Sequence, residues 1–207
     1  MNDRLTDPVM YLGSMGPLIR NAVKHATCVM VNGTFDQERV GEETCTNVHD
    51  DNIAIGIVTW SLGSRVVYDA LSELESPQAD VTATRFILQR TFNIYMLANQ
   101  LPLLQLSQAP VSHQQGECIA PPKDSLRDLL MLTASIKREI TLPITIITIS
   151  DPNDLLSYPI PRSFAEDVAC KTARFVIVTT PIARPFASGY IANPMTAHTV
   201  TPRIILC

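Results

Sequence analysis

The stretch from Ile53 to Arg65 constrains this chain more than any other. Ile53-Ala54-Ile55-Gly56-Ile57-Val58-Thr59 is an apolar run rich in β-branched residues, and Trp60-Ser61 follows it directly. Val66, Val67, Ala70, Leu71 and Leu74 come next at helical spacing. A buried strand at 53–59, a sharp reversal and a helix reaching about residue 75 are specified together, with Ser61 at the apex. Gly63 and Ser64 are small, so helix and strand can pack closely while the apex backbone holds a strained conformation. Ser76-Pro77 stops the helix.

The rest of the chain repeats this alternation. From Pro17 to about residue 31 the apolar spacing is close to helical, with proline acceptable in a first turn. Residues 32–52 are polar, contain Gly33 and Gly41, and read as a loop. A helical segment then leads into Phe92–Ala98, a short apolar run typical of a buried strand. Residues 102–123 carry Pro102, Pro110, Pro121 and Pro122 and read as a long connection. Asp124-Ser125 opens a helix with Leu126, Leu129, Leu130, Leu132 and Ile136 on its apolar side. Ile144–Ile149 and Arg174–Thr179 are further strands. Strands alternating with helices predict an α/β fold, a mostly parallel sheet with helices on both faces, in a single domain over residues 1–207.

Composition removes several function classes. Hydrophobic residues make up 46% of the chain and charged ones 17%, the balance of a folded domain. A formal charge of -4 gives no basic footprint for nucleic acid. No apolar run reaches the roughly 18 to 20 residues of a membrane span. Met1-Asn2-Asp3-Arg4-Leu5 lacks the regions of a signal peptide, so the chain as written reads as soluble, with its compartment open. The five cysteines include no C-x-x-C spacing, and neither a metal nor a cofactor is expected. Cys28 and Cys45 either close a loop as a disulfide or stay as buried thiols.

A parallel sheet delivers the C-terminal ends of its strands to one edge, where active sites collect. Ser61 follows the first strand of the series, Asp151-Pro152-Asn153-Asp154 follows the strand at 144–149, and His198 lies beyond the last. A serine hydroxyl becomes nucleophilic when an imidazole accepts its proton, and a carboxylate orients that imidazole. The roles fall to Ser61 as nucleophile, His198 as base and Asp154 as acid, with Asp151 competing for the last. The Leu62 N–H, at a helix N-terminus, would donate to the developing oxyanion. Trp60, Asn99 and Gln100 are pocket candidates; Leu103, Leu104 and Leu106 suit either an apolar pocket surface or ordinary core. Each assignment has a plainer rival. Ser61 could be a capping serine and Asp154 a turn former, and Arg65 could be paired or exposed. His113 precedes the acid in the chain, and His25 and His49 precede the nucleophile.

Trp60-Ser61-Leu62-Gly63-Ser64-Arg65, Met96 to Leu104, Ser150 to Tyr158 and Ala192 to Thr199 together resemble uncharacterised bacterial proteins of the α/β-hydrolase superfamily. The resemblance runs from about residue 8 to the end. It implies hydrolysis of a small-molecule ester or lipid-like substrate by Ser61, Asp154 and His198. Two departures stand out. Thr59 occupies the first glycine position of the G-x-S-x-G pattern, where a β-branched residue would crowd the helix. No strand series precedes Ile53, so the chain reads as a fragment lacking its N-terminal strands and any export signal, or as a minimal relative. The second expectation is accordingly a catalytically inactive or truncated hydrolase-like module that binds or has a structural role.

Overall fold

The four apolar runs pair side by side as parallel strands. In the computed structural model β3 (Ile55–Trp60), β4 (Thr91–Leu97), β5 (Ile144–Ser150) and β6 (Ala173–Thr179) form one sheet in the order β3-β4-β5-β6. The structure describes residues 6–36, 44–46, 54–74, 83–102, 104, 124–136, 143–162, 173–180, 185–187, 191–192 and 197. Pairing runs Ile57, Ile94, Ile146, Phe175 in one row and Thr59, Met96, Thr148, Ile177 in the next row on the same face.

Among the described residues, helices lie in two of the connections between these strands. α3 (Gly63–Glu73) and α4 (Ala83–Arg90) lie between β3 and β4, and α5 (Ser125–Ile136) lies between β4 and β5. The β3–β4 and β4–β5 connections step in the same direction across the sheet, and the general right-handed preference of such crossovers would place their helices on one face. The packing agrees, since α5 touches both α3 and α4. Ile94, Met96 and Ile146 belong to the same buried cluster as Leu71, Phe86, Leu126 and Leu129. Each such side chain contributes about 1.5–3 kcal/mol on burial. The expectation of covering helices is met on this face. On the other, Val58 is 61% and Trp60 43% exposed.

Local signals set the helix ends. The Asp124 carboxylate accepts the N–H groups of Leu126 and Arg127, both at 3.1 Å, and so caps α5 as its sequence predicts. α2 (Gly16–Met30) carries proline in its first turn, and its end is closed by Asn32, two residues on and left-handed at φ 52°, with the Gly33 N–H on the Cys28 carbonyl. A short helix, α1 (Thr6–Leu12), precedes it. A Cβ at Gly16 would collide with the Tyr11 carbonyl, so only glycine allows this approach.

The polar segment read as a loop contains a small antiparallel pair, β1 (Thr34–Asp36) and β2 (Thr44–Thr46). A Cys28–Cys45 disulfide ties β2 to the end of α2 and decides between the two cysteine readings. A second short pair, β7 (Pro185–Ala187) and β8 (Ile191–Ala192), follows the main sheet.

Polar contacts dock α1 and α2 on α3. The Tyr11 hydroxyl donates to Asp69 Oδ2 at 2.7 Å, and Arg65 Nε donates to the same oxygen at 2.8 Å. Arg20 and Lys24 both reach Glu73, at 2.7 and 3.3 Å. Arg65 is therefore buried and paired.

Candidate functional site

Ser61 leaves the sheet in a left-handed conformation, φ 55°, immediately after β3 and two residues before α3. Its N–H donates to the Leu97 carbonyl at 2.8 Å, extending the ladder one residue past the Trp60–Leu97 pair. Ala98 does the same on the next strand, with φ 49° and its N–H on the Ile149 carbonyl at 3.0 Å. Two non-glycine residues at equivalent places on adjacent strands thus occupy a region that costs roughly 1–2 kcal/mol each. Such clustered strain is characteristic of functional sites.

Thr59 is accommodated by hydrogen bonding. It is 4% exposed, and its hydroxyl donates to the Tyr95 carbonyl at 3.0 Å. With that proton used, the Ser64 hydroxyl is the donor in the 2.8 Å contact between the two side chains. At Gly63, nothing lies within 4 Å of where a Cβ would stand. The turn is thus roomy at its second glycine and bonded at its first position. Leu62 is the N-cap of α3, and no side chain caps that end, so the first-turn N–H groups sit at the positive pole of the helix.

Two buried carboxylates lie on the same sheet edge. Asp151, 1% exposed, follows the last residue of β5, and its Oδ1 accepts both the Asn153 N–H at 2.8 Å and Asn153 Nδ2 at 3.0 Å. Asp154, 3% exposed, accepts the Leu156 N–H on Oδ1 at 2.9 Å. Each carboxylate therefore spends one oxygen on its own turn. None of Ser61, Asp151 and Asp154 is without a partner. Strand order puts β4 between the serine and these acids, a backbone separation of about 10 Å at ordinary strand spacing.

Asn99 holds the acid-bearing loop against β4. The Tyr158 N–H donates to the Asn99 carbonyl at 2.9 Å, and the Leu101 N–H donates to Asn99 Oδ1 at 3.1 Å. The Asn99 amide nitrogen faces the Tyr158 carbonyl at 3.5 Å. Its side chain, completely buried, is thus committed to this junction. Gln100 is 2% exposed, and its Oε1 has no hydrogen-bond partner among the described residues. Leu104 is buried. Trp60 stands beside Ser61, partly exposed, on the face opposite Thr59.

His198 lies outside the described residues, as do His49, His113, Leu103 and Leu106. His25 packs on Phe35, with ring centroids 4.9 Å apart. Sequence reasoning missed the Thr59–Ser64 bond, the left-handed Ala98 and the structural use of Asn99. Only the first had a visible signal, a hydroxyl residue at a glycine position with a serine five residues on.

Among the described residues no group of three or more His, Cys, Asp or Glu side chains is arranged to hold a metal ion. No helix there is long and apolar enough to cross a membrane. Comparison of the chain with protein-family models, curated proteins and solved structures gives no match in any of the three.

Proposed function

We propose that this chain is a serine hydrolase of the α/β-hydrolase type, cleaving carboxylic esters through an acyl-enzyme on Ser61. The observation that carries the reading is the left-handed Ser61 at a strand-to-helix turn on the C-terminal edge of a parallel sheet. A serine held there projects from the edge with a helix N-terminus behind it. The buried Asp151 and Asp154 on the same edge support it, because a gap of about 10 Å suits an imidazole bonded at both ends.

In this mechanism His198 takes the Ser61 proton as Oγ attacks the ester carbonyl. The oxyanion that forms is stabilised by the Leu62 N–H at the start of α3. Collapse breaks the ester bond, and the departing alcohol leaves with the proton from His198. Water then attacks the acyl group, again through His198, and releases the carboxylic acid and free Ser61. Asp154, with Asp151 as rival, orients the imidazole.

The inactive-module reading keeps one specific support. Among the described residues β3 is an edge strand, so no described strand beyond it brings a second oxyanion donor. Hydrolysis of p-nitrophenyl acetate and butyrate separates the two readings. The hydrolase reading expects turnover that Ser61→Ala and His198→Ala each abolish; turnover absent from the parent chain, or untouched by Ser61→Ala, supports the module.

A further inference from the structure

We infer that Thr59 is a positioning residue for Ser61, its hydroxyl setting the turn that presents the nucleophile. This rests on the hydrolase reading of Ser61. The Thr59–Ser64 contact joins side chains on either side of the reversal and encloses Trp60, Ser61, Leu62 and Gly63 in a ring. The ring is anchored to the neighbouring strand twice. Thr59 Oγ1 donates to the Tyr95 carbonyl, and the Ser61 N–H donates to the Leu97 carbonyl.

The proton order is fixed by these partners. Ser64 donates to Thr59, and Thr59 donates to a backbone carbonyl that has no proton to return. Both hydroxyl-bearing residues are closed to water, at 4% and 0% exposure. No solvent replaces a bond lost here, and the left-handed Ser61 depends on its surroundings to persist.

A glycine at 59 would provide none of this. It would open the ring, leave the Ser64 hydroxyl unmatched and remove the side chain that fills the space against α3. Restoring the glycine of the general pattern therefore damages this site.

The experiment uses the 207-residue chain and four variants, Thr59→Ser, Thr59→Val, Thr59→Gly and Ser64→Ala. It reads the second-order rate of fluorophosphonate labelling per folded molecule, and kcat and KM for p-nitrophenyl acetate. Thr59→Ser should keep labelling within about threefold of the parent, because the hydroxyl is retained. Thr59→Val, Thr59→Gly and Ser64→Ala should each lose about tenfold or more in labelling rate and kcat, with KM within about twofold. Parental labelling rates in Thr59→Val and Ser64→Ala, accompanied only by lower melting temperatures, would make Thr59 a core residue and overturn the inference. Faster labelling of Thr59→Gly would overturn it too. Should Thr59→Gly fail to fold, Ser64→Ala carries the test with Thr59 intact. A parent chain that never labels at Ser61 overturns the hydrolase reading itself, a separate outcome.

Discussion

The Ser61 N–H donates to the Leu97 carbonyl at 2.8 Å, one residue beyond the last paired position of the two strands. That bond lets the sheet hold Ser61 on one side while α3 begins two residues later. The left-handed backbone is a consequence, because the chain must reverse inside this interval. Strand, strain and helix start are one device, and Thr59 and Ser64 close it from below.

Ser61 therefore holds its place at a cost in stability. Glycine adopts φ near 55° without the Cβ penalty, whereas alanine does not. Ser61→Gly should be more stable than Ser61→Ala by about 0.5–1 kcal/mol in urea denaturation. Equal stabilities would argue against strain at this residue.

Asp69 accepts from Tyr11, which anchors α1 to α3, and from Arg65 one turn earlier on α3 itself. Both charged side chains are almost wholly buried. Asp69→Ala leaves the Arg65 guanidinium without its carboxylate and should cost about 3–5 kcal/mol. Tyr11→Phe removes only one hydrogen bond to a charged acceptor and should cost about 1.5–3 kcal/mol. Chemical denaturation of the two variants checks the order.

Alkaline pH should weaken the fold through the same contact. Burial first, and then Asp69, hold the Tyr11 phenol well above its ordinary range, and burial alone does the same for Tyr68. The folded chain keeps these protons while the unfolded chain releases them above about pH 10. Their stabilising contribution is complete below that value and is lost as pH climbs from the unfolded pKa through the raised folded one. Stability measured from pH 8 to 11 should fall at the upper end, less steeply in Tyr11→Phe.

Reduction of the Cys28–Cys45 bridge should matter as much as a buried side chain. The cysteines are 17 residues apart in sequence, a loop whose closure is worth about 3 kcal/mol. Denaturation with and without dithiothreitol, and of Cys28→Ser with Cys45→Ser, should show a loss of that order.

The parts of the fold legible in the sequence are those specified locally. β4, β5 and β6 fall within a residue of the apolar runs that predict them, and β3 begins two residues late. α5 starts where Asp124 can cap it. What stayed hidden depends on distant partners. α1 exposes Val9, Met10 and Leu12, and Tyr11 is fixed by Asp69, 58 residues away. The three-residue strands β1 and β2 are too short for periodicity to register, and a disulfide holds them to α2. Ser61 was visible because strand, turn and helix are contiguous there. Thr59 looked like a steric fault because its acceptor, the Tyr95 carbonyl, lies 36 residues away. Asn99 looked like a pocket residue for a similar reason, its partner Tyr158 belonging to another loop.

Mapping where a fluorophosphonate attaches decides whether Ser61 is the activated nucleophile proposed for this chain. The parent chain should gain one phosphonyl group, on the peptide that carries Ser61, and Ser61→Ala should gain none. A parent chain that stays unmodified, or one labelled at another residue with Ser61 untouched, would rule out Ser61 as the nucleophile.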